Sequence, residues 1–400
     1  MYATIYDAVK DLFGINLPFL KLLQTFGFFV AISFLLCAWV FAKELRRKEL
    51  QGFLKATYRK VIKGAAATRT ELSSQFFFGF LIGWKLISIP FSGGAFSADP
   101  RGFILSTQGN IFIGIATGLA FFYLRYRQSE KNRLPEPKEE DEKVSAADHV
   151  GNMTLIAALF GFLGAKIFHI LENFGDFLKD PSGLLLSFSG LTMYGGLILG
   201  GIAVLVYAKK QGFNLLHVMD ACAPGLFLAY GVGRLGCQFA GDGDWGVVNL
   251  APKPGWMSFL PNWFWAYDYP NNVNNTCSPD SNNPVYDMAA QVMAFTNPGN
   301  PRLIYPVFPT PLYEAIINIA FFFILWSQRK KFSSPGLVFS VYLIFNGLER
   351  FFIEMIRVDT VLFKIGSFQV VQAEIIGLCL ITLGIIGVIW TKKRAKQLAL

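Results

Sequence analysis

Two arginines, Arg234 and Arg350, lie in stretches that otherwise read as membrane-spanning helix. Arg234 belongs to Gly231-Val232-Gly233-Arg234-Leu235-Gly236, followed by Gly241-Asp242-Gly243-Asp244-Trp245-Gly246. Arg350 belongs to a run from Asn346 to Arg357 that also carries Glu349 and Glu354. A charge near the centre of a spanning helix costs about 2.5–3.5 kcal/mol, so it is seldom kept without a partner or a task. The flat, five-donor guanidinium is also the side chain best shaped to hold a phosphate. These residues point to a membrane site for an anionic headgroup.

The spacing allows more than one chemistry. Asn346, Arg350, Glu354 and Arg357 fall close to one helical face. Arg350 and Glu354 can neutralise each other and simply join two helices. Alternatively, Arg350 and Arg357 outnumber Glu354 and leave positive charge for an anion. Asp242 and Asp244 can cap a helix, balance the arginines or move protons. Tyr194-Gly195-Gly196-Leu197-Ile198-Leu199-Gly200-Gly201 has glycines at spacing four, which by default signals close helix packing. Tyr194 adds a hydroxyl about ten residues in from the outer face. The topology then predicts Tyr194, Arg234 and Arg350 at similar depth in the outer leaflet.

The elements that must position them are helices. The 400 residues are 53% hydrophobic and 16% charged, a polytopic membrane composition. About nine spans of roughly 20 residues are expected. They run approximately 17–42, 74–92, 105–124, 152–172, 184–208, 219–240, 309–328, 335–357 and 370–391. The fold class expected is an all-α integral membrane bundle forming a single membrane domain over 1–400.

A net charge of +9 could suggest nucleic acid, but its distribution excludes that. Basic clusters at Lys43 to Arg69, Arg125 to Lys143, Lys209-Lys210, Arg329-Lys330-Lys331 and Lys392 to Lys396 follow alternate ends of the spans. They hold about 24 of the 36 Lys and Arg, against about 8 in the opposite loops. This bias predicts an outer N-terminus and a cytoplasmic C-terminus, and hence an odd number of spans. The first span lacks a basic start and a cleavage site, so it reads as a retained helix.

The 125–150 segment, with its acidic run Glu139 to Glu142, reads as a solvated cytoplasmic linker. The 242–307 segment reads as an outer loop rich in Trp, Tyr, Pro and Asn, suited either to the headgroup layer or to a lid. Cys37, Cys222, Cys237, Cys277 and Cys379 are odd in number and offer no disulfide framework. His149, His169 and His217 are scattered, so no metal site is expected.

In order along the chain, the motifs resemble those of the prolipoprotein diacylglyceryl transferase family. Phe26-Gly27 lies where the family has Tyr-Gly, and Gly164-Ala165-Lys166 where it has Gly-(Gly/Ala)-Arg. Tyr194-Gly195-Gly196-Leu197 matches His-Gly-Gly-Leu. Gly233-Arg234-Leu235-Gly236-Cys237, with Gly241 to Gly246, matches the Gly-Arg-x-Gly-(Asn/Cys) signature and its acidic end. Pro309-Thr310-Pro311-Leu312-Tyr313-Glu314 matches Pro-(Ser/Thr)-x-Leu-Tyr-Glu. Arg350, Glu354 and Arg357 match Arg-x-x-x-Glu-x-x-Arg.

The resemblance implies a bacterial inner-membrane enzyme whose site faces the periplasm. It would transfer diacylglycerol from phosphatidylglycerol to the cysteine of a prolipoprotein signal peptide, with no metal or organic cofactor. It implies catalytic roles for Tyr194, Arg234, Arg350, Asp242, Asp244 and Glu354. It implies substrate binding by Arg234, Arg350, Arg357, Gly195, Gly196, Cys237, Gly246, Tyr313 and Glu314. The family fold has seven spans, so the surplus maps to an added helix pair at 74–124. Tyr194 stands where the family usually has a catalytic histidine, and Phe308 and Phe26 also depart from its pattern. The competing readings are a membrane transporter or lipid-binding protein, or a variant transferase with another acceptor.

Overall fold

The computed structural model of the protein describes residues 1–92, 96, 103–104, 106–186, 192–280, 283–296, 299, 301–332, 334–358, 361–365 and 368–398. A helix occupies each of the nine positions expected to span. Six helices among the described residues are long and apolar enough to cross a membrane: Thr25–Leu50, Ala146–Glu172, Met193–Lys210, Leu215–Ala240, Thr310–Gln328 and Ala373–Ala395. The protein is a polytopic helical membrane protein.

The chain forms two compact units. The first comprises Met1–Ala3, Thr25–Thr57 and Val144–Leu400. Its helices are α2 (Thr25–Leu50), α5 (Val150–Glu172), two short helices α6 (Phe174–Lys179) and α7 (Pro181–Leu186), α8 (Met193–Lys210), α9 (Leu215–Ala240), α10 (Pro284–Thr296), α11 (Thr310–Gln328), α12 (Leu337–Glu354) and α13 (Gln372–Leu398). The second comprises Thr4–Gln24 and Tyr58–Lys143. It holds α1 (Ile5–Phe13), α3 (Arg69–Ile82) and α4 (Ile111–Lys131).

The bundle is not purely helical. Strand β1 (Thr57–Lys63) pairs with β2 (Lys138–Val144), and β3 (Val361–Ile365) pairs antiparallel with β4 (Phe368–Val371). The acidic run Glu139 to Glu142, expected in a solvated linker, is exposed and lies in strand β2. Its charges match a basic strand: Lys63 meets Glu140 at 2.6 Å and Arg59 meets Glu142 at 3.4 Å. Such exposed pairs are individually weak, so they choose a partner more than they stabilise it.

Helix ends also differ from the hydropathy reading. The first span starts at Thr25 rather than near residue 17, because Pro18–Leu22 forms a separate 3₁₀ turn. The start of the span expected at 184–208 falls partly outside the described residues; its helix begins at Met193, where the Thr192 hydroxyl donates to Glu172 at 2.7 Å.

Within the first unit, α9 is the central helix, packing on α2, α11 and α12. At one end, Asn214 caps it, its side chain accepting from Leu216 N–H. At the other, Gly241 ends it in the left-handed region (φ 65°), a conformation cheap only for glycine. That turn lifts the chain off α9 within a few residues of Arg234. One turn into α9, the buried Asp220 carboxylate accepts from Gly336 N–H (2.8 Å) and Phe339 N–H (3.0 Å), fixing the start of α12. Thus α9 orients the helix that carries Arg350.

Segment 242–307 is built around its own core. Trp245, Tyr269, Leu303 and Val307 are buried together, with Met1, Val248 and Tyr267 packed against them. Trp245 Nε1 donates to the Pro279 carbonyl at 2.9 Å, and the Tyr269 hydroxyl donates to Gln238 Oε1 at 2.8 Å. These bonds dock the segment onto the end of α9.

Candidate active site

Glu314 lies at the centre of the charged cluster. It is fully buried on α11, one turn after Thr310, where Pro311 begins the helix without needing a hydrogen-bonded N–H. Three guanidiniums converge on its carboxylate: Arg234 Nε at 2.8 Å, Arg350 Nη1 at 3.7 Å and Arg357 Nη1 at 3.8 Å. The Tyr230 hydroxyl donates to Glu314 Oε1 at 2.9 Å. Arg234 also pairs with Asp244, which accepts from Arg357 Nη2 at 3.0 Å. Arg350 Nη2 lies 3.3 Å from Glu354, one helical turn on. The structure therefore gathers Arg234, Arg350, Arg357, Asp244, Glu314 and Glu354 from α9, α11, α12 and the 242–246 turn.

Of the readings open for α12, charge balance is the one the geometry matches, with Asp244 and Glu314 arriving from other segments. Each of the three arginines has a carboxylate partner. What remains is hydrogen-bonding capacity, much of it on donors of the arginines. Arg350 Nε, Arg357 Nε and Arg357 Nη1 are buried and make no hydrogen bond among the described residues, and neither does the Tyr194 hydroxyl. Tyr194 lies within electrostatic reach of Arg350. Buried polar groups are nearly always satisfied, and Glu314 Oε2 and Asn318 Oδ1 in the same cluster also make no hydrogen bond among the described residues, so a polar ligand or water would complete these atoms.

Gly246 ties the cluster together. Its N–H donates to the Phe308 carbonyl at 2.8 Å, while Val247 N–H donates to the Ile356 carbonyl at 2.9 Å. An added Cβ at Gly246 would collide with the Ile356 carbonyl and approach Phe308 Cβ to 2.8 Å. So Gly246 is the point where the turn carrying Asp244 passes close against the residue before Arg357. Gly246→Ala is expected to cost about 1–3 kcal/mol through overpacking. Thermal unfolding in detergent tests this, and an unchanged midpoint would remove the close-approach role.

Asp242 and Asp244 divide into two roles. Burial raises the Asp242 carboxyl above its ordinary range, and the adjacent Asp244 charge raises it further. Burial acts on Asp244 too, but Arg234 and Arg357 more than offset it and hold Asp244 below the ordinary range. Two carboxylates pushed apart in this way suit one as a fixed charge and the other as a proton carrier. Cys237 adjoins both, its Sγ 3.7 Å from Arg234 Nη1 and 3.9 Å from Asp244 Oδ2. The ligand atoms of Cys237, Asp242 and Asp244 lie within 4.8 Å of one another, but the two guanidiniums on Asp244 oppose a cation there.

Gly195, Gly196 and Tyr313, for which the resemblance implies substrate binding, make packing and backbone contacts. Gly195 and Gly196 pack α8 against the backbone carbonyls of Gly164 and Gly161 on α5, where no Cβ fits without a shift. Their task is close helix approach. Tyr313 points away from the cluster: its hydroxyl donates to the Phe264 carbonyl at 2.6 Å.

Two partners escaped the sequence reading. Tyr230 sits four residues before Arg234, and Asn318 four residues after Glu314, where it donates to Glu349 at 3.2 Å. The i, i+4 spacing was the available signal.

Residues 110–390 match the family described as prolipoprotein diacylglyceryl transferase, well over half of the chain. The chain belongs to this family. Among named relatives, the phosphatidylglycerol–prolipoprotein diacylglyceryl transferase of Clostridium tetani is 30% identical over 213 residues, covering 53% of this chain and 70% of that protein. The enzyme of the same name from Clostridium novyi is 28% identical over 251 residues, covering 62% and 82%. That of Streptococcus uberis is 29% identical over 260 residues, covering 64% and 84%. The family match begins at Asn110, so it takes in α4 and every later helix, including each residue of the charged cluster, and leaves α1 to α3 outside.

Proposed function

We propose that this site transfers the diacylglyceryl group of phosphatidylglycerol to the lipobox cysteine thiol of prolipoproteins, the first modification in bacterial lipoprotein maturation. The observation that carries it is the set of unsatisfied donors on Arg350, Arg357 and Tyr194, beside guanidiniums pinned by Glu314 and Asp244. Pinned donors need no reorganisation when charge develops, which is how such groups lower a barrier.

The incoming thiol loses its proton, and the thiolate sulfur attacks the glyceryl carbon that bears the phosphate. The carbon–oxygen bond breaks, its electron pair stays on the phosphate oxygen, and glycerol phosphate leaves. Arg350 and Arg357 hold that oxyanion, and Arg234 braces the cluster through Glu314 and Asp244. Asp242, with its raised affinity for protons, takes the thiol proton, and Tyr194 hydrogen-bonds the phosphate or relays the proton. Glu354 sets the rotamer of Arg350.

The basic clusters support nine spans with an outer N-terminus, a cytoplasmic C-terminus and this site on the periplasmic side of a bacterial inner membrane. Both substrates are partly embedded in lipid and enter sideways between helices.

The reading is tested by incubating purified protein with phosphatidylglycerol and a lipobox peptide and weighing the peptide. Arg234→Ala should abolish the diacylglyceryl mass gain, whereas an exposed change in the 125–150 segment should not. Equal losses in both variants would leave the arginine without a specific role. Tyr194→Phe should depress turnover while leaving lipid binding near wild type; unchanged turnover would reduce Tyr194 to packing.

A further inference from the structure

Between Asp244 and Asp268 the chain carries a single charged residue, Lys253, and four of the protein's eight tryptophans. Within this stretch, residues 249–265 close on themselves as a compact loop. Asn249 donates through its side-chain amide to the Trp265 carbonyl at 2.7 Å, and Trp265 Nε1 donates to the Ala251 carbonyl at 2.9 Å. Two 3₁₀ turns, Gly255–Met257 and Asn262–Phe264, shape the tip, and Lys253 Nζ donates across it to the Leu260 carbonyl. Met257 fills the inside (6% exposed), while Trp256 (74%) and Phe259 (79%) face outward, with Leu250 and Trp263 also exposed. A loop of this kind, with its ends joined and its own side chain packed within, is a built element.

Its height is fixed by contacts to α11. The Phe264 ring packs on Tyr313 (5.4 Å between centroids), and the Phe264 carbonyl accepts the Tyr313 hydroxyl. Tyr313 is in the first turn of α11, and Ile316, one turn further, is exposed on a helix apolar enough to span. The exposed aromatic tip is thus continuous with a lipid-facing helix surface. Trp and Phe with almost no charge suit the boundary between headgroups and acyl chains, where an indole keeps its N–H wet and its ring dry. Large apolar side chains exposed this far, and grouped, mark an interaction surface.

We infer that loop 249–265 is a membrane-penetrating wedge, its Trp256 and Phe259 inserted into the outer boundary of the leaflet beside α11. The loop is wired to the charged cluster, since Trp265 packs on Phe308 (5.2 Å) and Phe308 bonds Gly246, next to the turn bearing Asp244.

The test reads depth and is independent of the transfer reaction. Cys379, which is exposed, and the half-buried Cys37 and Cys222 are changed to serine or alanine. Phe259→Cys or Trp256→Cys is then spin-labelled and reconstituted into vesicles of phosphatidylglycerol and phosphatidylcholine. Both positions are exposed, so neither change disturbs packing. At both, collisions with oxygen, which concentrates in the bilayer, should exceed those with a water-soluble nickel chelate several-fold. The reverse ratio overturns the inference. So does a label shielded from the chelate only after an apolar signal-like peptide is added, because that assigns the loop to a protein partner.

Discussion

Arg350→Lys is expected to slow diacylglyceryl transfer about 10²–10³-fold, the usual cost of losing one pre-positioned donor to a developing oxyanion. Lysine keeps the charge but not the fork. Arg350 uses Nη1 toward Glu314 and Nη2 toward Glu354, leaving buried Nε as the donor without a hydrogen bond. An ammonium group drawn to those carboxylates offers nothing in the Nε direction. The check is turnover with phosphatidylglycerol vesicles and a lipobox peptide, alongside thermal unfolding. A large rate loss with a small change in midpoint is expected, whereas a near-wild-type rate would remove Arg350 from the chemistry.

Glu314→Gln is expected to act on the fold as well as the reaction. The substitution keeps shape and removes the one carboxylate shared by Arg234, Arg350 and Arg357. Breaking a buried ion pair by removing one partner costs about 3–5 kcal/mol, because the remaining charge stays uncompensated. Glu314 is fully buried, so solvent cannot take its place. A fall of many degrees in unfolding midpoint, together with lost transfer, is the expected result. An unchanged midpoint would mean that Asp244 and Glu354 alone balance the cluster, and Glu314 would lose its central role.

The sequence disclosed the arginines because charge inside an apolar helix is conspicuous whatever the fold. Its alternating basic loops are the basis for expecting Tyr194, Arg234 and Arg350 at one level. Charge balance was legible only in part: Asp244 was a candidate, but counting residues on one face of α12 misses Glu314, which reaches the cluster from α11. At Gly195 and Gly196 the spacing of glycines already pointed to the close helix approach that the structure has. Strands β1 and β2 were hidden because their pairing rests on opposite charge between segments far apart in sequence.

The most direct measurement counts both products of one reaction. Purified protein, phosphatidylglycerol and lipobox peptide should yield modified peptide and free glycerol phosphate in equal amounts, with both vanishing in Arg350→Lys. Lipid moving across liposomes while the peptide keeps its mass and no glycerol phosphate forms would contradict the account and make the buried arginines part of a passage.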